Sequence, residues 1–251
     1  MAKEYEIITS LLSPNIYSRP QSKMLGIKGI GIHWVGNANS KAINNRNYFE
    51  NLKNQTATPK RYASSHEVIG LDGEVIICLP KTEVAYHVGA KSYKARAKQL
   101  LANSPNRYLY GIEACHPDWS GKFNDKTYNT LINRVADLLI EFDLRPSKDT
   151  LWRHFDVTGK DCPKYYMVNP SAWDKLVADI TKRYYAKVEV LVVAELLEWQ
   201  KVQGEKALDS LNKKKDNNGN LIVNSPDDWK KKLGENIPGW LFWSIIDRIS
   251  K

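Results

Sequence analysis

A chain of 251 residues with 42% apolar side chains can bury one large core, or a main core plus a small satellite, and is too apolar for wholesale disorder. The net charge of +9 suits a polyanionic partner (nucleic acid, anionic lipid or an acidic cell-wall polymer) without choosing among them. Three widely spaced cysteines, Cys78, Cys115 and Cys162, are an odd set that does not make a disulfide framework and points to synthesis in a reducing compartment.

In chain order, the first stretch, "MAKEYEIITSLLSPNIYSR", breaks its apolar residues with acids and polar groups and is not read as a signal peptide. "KGIGIHWVG" is a short apolar strand ending at His33 and Gly36. "ASSHEVIGLDGEVIICLP" reads as two strands about the turn Leu71-Asp72-Gly73. "YLYGIEAC" is a half-buried strand, followed by the polar loop "HPDWSGKFND". Tyr128, Leu131, Ile132, Val135, Leu138, Leu139 and Phe142 then recur at helical spacing, with Asp125 as N-cap. "TLWRHFDVTG" is a strand running into a loop with Lys160 and Cys162, and "SAWDKLVADITKRYY" is an amphipathic helix capped by Ser171. This alternation predicts an α/β fold, a mixed central β-sheet flanked by helices.

From Ala186 the texture turns helical. "VEVLVVAELLEWQKVQGEKALDSLNKK" is helix-like throughout, and Glu189, Glu195 and Glu198 keep its most apolar part from serving as a membrane span. "KDNNGN" is a turn, "SPDDW" offers a capping box on Ser225, and "PGWLFWSIIDRI" is a third short helix whose Trp240, Phe242 and Trp243, with Trp229, are expected to form a small core. The domains expected are therefore 1–180 and a small all-α C-terminal module, 186–251. Residues 1–185 hold 26 Lys+Arg against 18 Asp+Glu, whereas 186–251 hold 11 against 10, so the basic surplus belongs to the first domain.

Chemistry concentrates in "RHFDVTGKDCP". The chain has five histidines, of which His33 and His154 both stand where a predicted strand runs out into a loop, and Cys162 lies eight residues beyond His154. Imidazole and thiolate are zinc donors. Spacing alone leaves open a buried cysteine and hydrogen-bonded loop histidines, since no Cys-x-x-Cys pair or His-Glu-x-x-His helix is present.

The ordered words "IHWVG", "SSHEVIGLDGEV", "AYHVGA", "YGIEA" and "RHFDVTGKDCP" resemble the zinc-dependent N-acetylmuramoyl-L-alanine amidases of type 2, which share a fold with the peptidoglycan recognition proteins, over roughly residues 25–170. The resemblance implies a Zn2+ cofactor held by His33, His154 and Cys162, with Glu113 as proton shuttle and Lys160 facing the scissile carbonyl. Ser65 stands where other members carry a tyrosine, so Glu113 must do the acid–base work. His87, Trp34 and Ser65 are the substrate-binding candidates; Trp34, Trp119 and Trp152 suit sugar-stacking walls, or an ordinary place in the core or at the rim, equally well. His66 reads as a packed or rim histidine rather than a ligand, His116 as a rim residue, and Cys78 and Cys115 as small buried hydrophobes.

The activity so implied is cleavage between N-acetylmuramic acid and the L-alanine of the stem peptide of bacterial peptidoglycan. The expected setting is a phage endolysin or prophage autolysin, made in the host cytoplasm and reaching the wall after holin-type release. Anionic wall polymers suit the basic surplus. The C-terminal helices are expected to serve wall targeting or self-association into a homodimer, and neither nucleic acid nor stable membrane insertion is expected. A recognition module that binds muropeptides without cutting them is the alternative, against which Glu113, Lys160 and Cys162 all speak.

Overall fold

A computed structural model describes residues 4–194, 198–215, 219–223, 225–231 and 233. The chain separates into two compact units, Met1–Tyr185 and Ala186–Lys251.

The first unit is built on one six-stranded sheet. Its strands are β1 (Ile7–Thr9), β2 (Gly29–Trp34), β3 (Glu67–Ile69), β4 (Val75–Ile77), β5 (Leu109–Ala114) and β6 (Leu151–Arg153), in the order β1-β4-β3-β5-β2-β6. Only β3 and β4 run antiparallel; every other pairing is parallel, so the sheet is mixed, as expected. The turn joining β3 to β4 closes through the Gly70 amide donating to the Glu74 carbonyl at 2.8 Å. Gly73 takes φ +86° there, a backbone region that costs glycine little and other residues more.

Around the sheet lie α1 (Ala42–Asn51), α2 (Ala95–Leu101), α3 (Asp125–Glu141), α4 (His154–Thr158), α5 (Lys164–Val168) and α6 (Pro170–Ala194). The helical spacing seen in the sequence becomes α3, but its N-cap is Asn124, whose side chain accepts from the Thr127 amide at 2.8 Å. Asp125 is the first helical residue, one place later than a cap. Likewise α6 begins at Pro170, which puts Ser171 inside the first turn rather than at the cap. The strand through "TLWRHFDVTG" stops at Arg153, because His154 opens the one-turn helix α4.

Period-two alternation decides what each sheet face carries. Ile30 and Ile32 of β2, and Tyr110, Ile112 and Ala114 of β5, join Leu131, Val135, Leu138 and Leu139 of α3 and Leu176 and Ile180 of α6 in the main core. The intervening positions, Gly31 and His33 on β2 and Gly111 and Glu113 on β5, belong to the opposite face. Trp152 is fully buried beside Val88, Leu101 and Leu109 in a smaller core, and its indole N–H donates to the Asp149 carbonyl at 2.9 Å. It is core, and no sugar wall. Cys78 and Cys115 are buried in a third cluster with Leu12, Val68 and Ile76.

One charged group sits inside this packing. Glu67, fully buried on β3, accepts from the Arg134 Nε at 2.9 and 3.0 Å and from the Tyr110 hydroxyl at 2.6 Å. Removing one partner would strand a buried charge. Arg134→Ala should therefore cost on the order of 3–5 kcal/mol of unfolding free energy. Paired Glu67→Gln and Arg134→Met changes should cost much less, as read by urea denaturation; equal losses would rule out this account.

In the second unit, α7 (Glu198–Leu211) and α8 (Pro226–Lys230) flank an isolated bridge between Lys215 and Leu221, and Lys230 pairs with Asp209 at 2.7 Å. Ser225 precedes α8 and Pro226 opens it, but the Ser225 side chain makes no capping hydrogen bond. The helix expected over "PGWLFWSIIDRI", with Trp240, Phe242 and Trp243, lies outside the described residues. None of the described helices is long and apolar enough to cross a membrane.

Candidate metal centre and active site

His33 and Glu113 are register partners on the parallel strands β2 and β5, one residue short of the carboxyl end of each. Alternation puts both on the sheet face away from α3, and pockets at the carboxyl ends of parallel strands are where such sheets build their sites. The third and fourth groups come from one local device. Gly159, at φ +89°, ends α4 in the left-handed conformation, and its amide donates to the Phe155 carbonyl at 2.9 Å. The chain then doubles back until the Phe155 amide donates to the Cys162 carbonyl at 2.9 Å, which brings Cys162 beside His154. Arg153 anchors the segment from below, its guanidinium donating to Asp156 and to the Tyr166 carbonyl.

As a result His33, His154 and Cys162, all buried, offer donor atoms that lie within 4.8 Å of one another. The rings of His33 and His154 meet edge to face with centroids 5.0 Å apart. Cys162 Sγ stands 3.5 Å from His33 Nδ1. Nitrogen and sulfur ligands at roughly 2.0–2.1 and 2.3 Å from a tetrahedral zinc are themselves about 3.6 Å apart. The donor set and its spacing therefore fit zinc.

The electrostatics agree. Burial first, and then the repulsion that a second protonated ring at His154 or His87 and the Lys160 charge would add, hold His33 well below the usual imidazole range. Burial and Lys160 take His154 down to about 3, so both rings are neutral, the form that ligates metal. Burial pushes the Glu113 carboxyl up to about 8, while Lys160 pulls it back. Among the described residues Glu113 Oε2 has no hydrogen-bond partner although it is buried. An orphaned carboxylate oxygen in such a place is a group waiting for a ligand or a proton.

These groups line a cleft of about 620 Å³ together with Trp34, Ser64, Tyr86, Asn106 and Lys160. Lys160 is exposed on its rim. Trp34, half-buried at the end of β2, stacks on His116 with centroids 4.6 Å apart, and Trp119 is 62% exposed. A wider cavity of about 780 Å³, around Lys23, Met24 and Phe142, carries none of the chemistry: its Glu83 is paired with Arg19 and its Lys81 with Glu141.

One of the substrate-binding candidates is corrected. Ser65 is fully buried and its hydroxyl donates to the Glu67 carbonyl at 2.6 Å, so it faces away from the cleft; the neighbouring Ser64 lines it instead. His87 borders the cleft but has no ring nitrogen to spare for substrate, since Nε2 meets the Leu109 carbonyl at 3.0 Å and Nδ1 meets His33 Nε2 at 2.9 Å. Of the two places open to His66, core or rim, it takes the core: Nδ1 accepts from the Gly111 amide and Nε2 lies 2.9 Å from the Glu83 carbonyl. His116 is buried rather than a rim residue, its two nitrogens against the Asp118 and Val35 carbonyls. Asn106, which the sequence reading missed, accepts from the His87 and Val88 amides through Oδ1 and carries no local signal that could have flagged it.

The family described as N-acetylmuramoyl-L-alanine amidase matches residues 23–165, a span that contains every residue of this centre. The chain belongs to that family. Among the relatives of this chain, a probable N-acetylmuramoyl-L-alanine amidase of Bacillus licheniformis is 34% identical over 158 residues, covering 63% of this chain and 42% of the relative. The amidase CwlL of the same organism is 30% identical over 166 residues, 66% of this chain and 44% of its own length. The chain thus spans less than half the length of these relatives. Its fold is also that of a solved mutant endolysin from Bacillus subtilis, with a TM-score of 0.54 at 24% identity over 70% of this chain and 99% of that one.

Proposed function

We propose that this chain is a zinc-dependent peptidoglycan hydrolase that cuts the amide bond between N-acetylmuramic acid and the L-alanine of the stem peptide. The observation that carries the reading is the meeting of His33, His154 and Cys162 with Glu113 Oε2, unpartnered among the described residues, in a single cleft of an amidase-family chain. A bound zinc ion supplies Lewis acidity and lowers the pKa of water to about 7.

The chain's own residues would do the rest. Glu113 accepts a proton from the attacking water at Oε2 and passes it to the departing alanine nitrogen, so that amide and water leave as carboxylic acid and amine. Lys160 holds the negative charge that grows on the carbonyl oxygen, a contribution of about 3 kcal/mol for one well-placed donor. Trp34, edged by the cleft and backed by His116, supplies an aromatic face for a sugar ring.

The setting we favour is lysis of a host wall by a phage or prophage enzyme, released through a holin-type lesion. The basic surplus of residues 1–185 would draw it to anionic wall polymers, and the second unit would serve wall targeting or self-association. The test is digestion of purified walls by the full chain. New N-terminal alanine should appear, vanish on chelation and return with zinc. Wall binding without release would support a recognition module instead, and equal lysis by a chain ending at Ala194 would remove the targeting role.

A further inference from the structure

The ring of His87 lies over the face of the paired strands β2 and β5 and against His33, in a place cleared for it. Gly31 on β2 and Gly111 on β5 are register partners. A Cβ on Gly111 would come within 2.6 Å of His87 Cγ, and one on Gly31 within 3.0 Å of His87 Cε1 and 3.3 Å of His33 Nε2. Real Cβ atoms essentially never come as close as at Gly111 and seldom as close as at Gly31, so the two glycines form the floor on which the imidazole rests. Its backbone is held as well, by the Asn106 carboxamide oxygen accepting from the His87 and Val88 amides.

Hydrogen bonding orders the protons along this stack. The Leu109 carbonyl can only accept, so His87 Nε2, 3.0 Å away, must carry the hydrogen. In a neutral ring that leaves Nδ1 bare, and Nδ1 is the atom 2.9 Å from His33 Nε2. His33 Nε2–H must then donate, and the lone pair of His33 is left on Nδ1. That is the nitrogen 3.5 Å from Cys162 Sγ. A chain of fixed polarity runs from the Leu109 carbonyl through two imidazoles to the metal-facing atom.

We propose that His87 is a positioning residue that sets the tautomer and ring orientation of His33, so that Nδ1 is the metal donor, and that Gly31 and Gly111 exist to admit it. This rests on reading His33 as a metal ligand. Partners that orient a ligating imidazole typically contribute 10–100-fold in metal affinity when removed.

The test is made on the full chain. His87→Phe, which fills the space but accepts no hydrogen bond, should weaken zinc binding about 10–100-fold in a chelator competition. It should also change the visible absorption of the cobalt-loaded protein. His87→Asn, which puts an acceptor oxygen where Nδ1 stood, should recover most of the affinity and the wild-type spectrum. Because the Phe variant could misfold, a second measurement uses the unaltered protein: cadmium-113 loaded into nitrogen-15-labelled chain should couple to His33 Nδ1, with His33 Nε2 and His87 Nε2 protonated. Coupling to His33 Nε2, or unchanged affinity and cobalt spectrum in His87→Phe, overturns the proposal alone. A wild-type chain that takes up neither zinc nor cobalt overturns the ligand reading, and this proposal with it.

Discussion

Glu113→Gln should lower the rate of wall hydrolysis by on the order of 10²–10⁴-fold, the usual contribution of a positioned acid–base group, while leaving zinc content and stability close to those of the parent. Glutamine keeps the shape of the side chain but cannot take up a proton. The expectation rests on place and environment. Glu113 sits in register with His33 across the β2–β5 pairing and is half-buried, with its Oε2 shielded from solvent and without a protein partner among the described residues. Burial raises its proton affinity and the Lys160 charge opposes it; a divalent cation beside it acts in the same direction as Lys160. The two pulls leave a group able both to receive and to return a proton near neutrality. Rates on purified walls, with zinc measured on the same samples, check this. A variant that retains its zinc and cuts at the parental rate would remove Glu113 from the chemistry.

Cys162→Ser should abolish activity by a different route, through loss of the metal. The third donor would become a hydroxyl that is not ionised at neutral pH, and the thiolate contact that suits zinc would be gone. In the native chain, burial pushes the Cys162 thiol up, with Glu113 adding to the effect, so metal uptake must expel a proton and weakens as pH falls. A ligand present at about 1,000 times its Kd stabilises the folded chain by about 4.1 kcal/mol. Chelation should therefore lower the melting temperature of the parent and leave that of Cys162→Ser unchanged. Zinc analysis and thermal melts with and without chelator decide the matter. Full zinc occupancy in the serine variant would exclude Cys162 as a ligand.

Much of the scaffold was legible because its signals are local. The β3–β4 hairpin announces itself through Leu71-Asp72-Gly73 between β-branched runs, and α3 through apolar residues at helical spacing. The elements that escaped notice are those with weak local signals. β1 is three residues long and gains its place only by pairing with β4. α1, "AINNRNYFEN", is rich in asparagine and turns few apolar side chains to the core, burying only Ala42, Asn45 and Phe49. α4 was hidden because a five-residue helix opening directly from a strand offers no periodicity to read.

The site divides along the same line. Donor chemistry made His33, His154 and Cys162 conceivable zinc ligands, but spacing alone left them open; it was the resemblance to the amidase words that nominated them together with Glu113 and Lys160. Neither shows which way a neighbouring group faces. Ser65 and His87 were nominated by proximity to the right words, yet one is spent on the Glu67 carbonyl and the other on His33, 54 residues away. Glu67 meets Arg134 across 67 residues, and nothing near either one marks the pair. Local sequence determined the strands, the turns and the chemical inventory of this protein. Only the tertiary structure decided the partners, since a hydrogen bond depends on where the sheet order sets two distant backbones and how much room the intervening glycines leave.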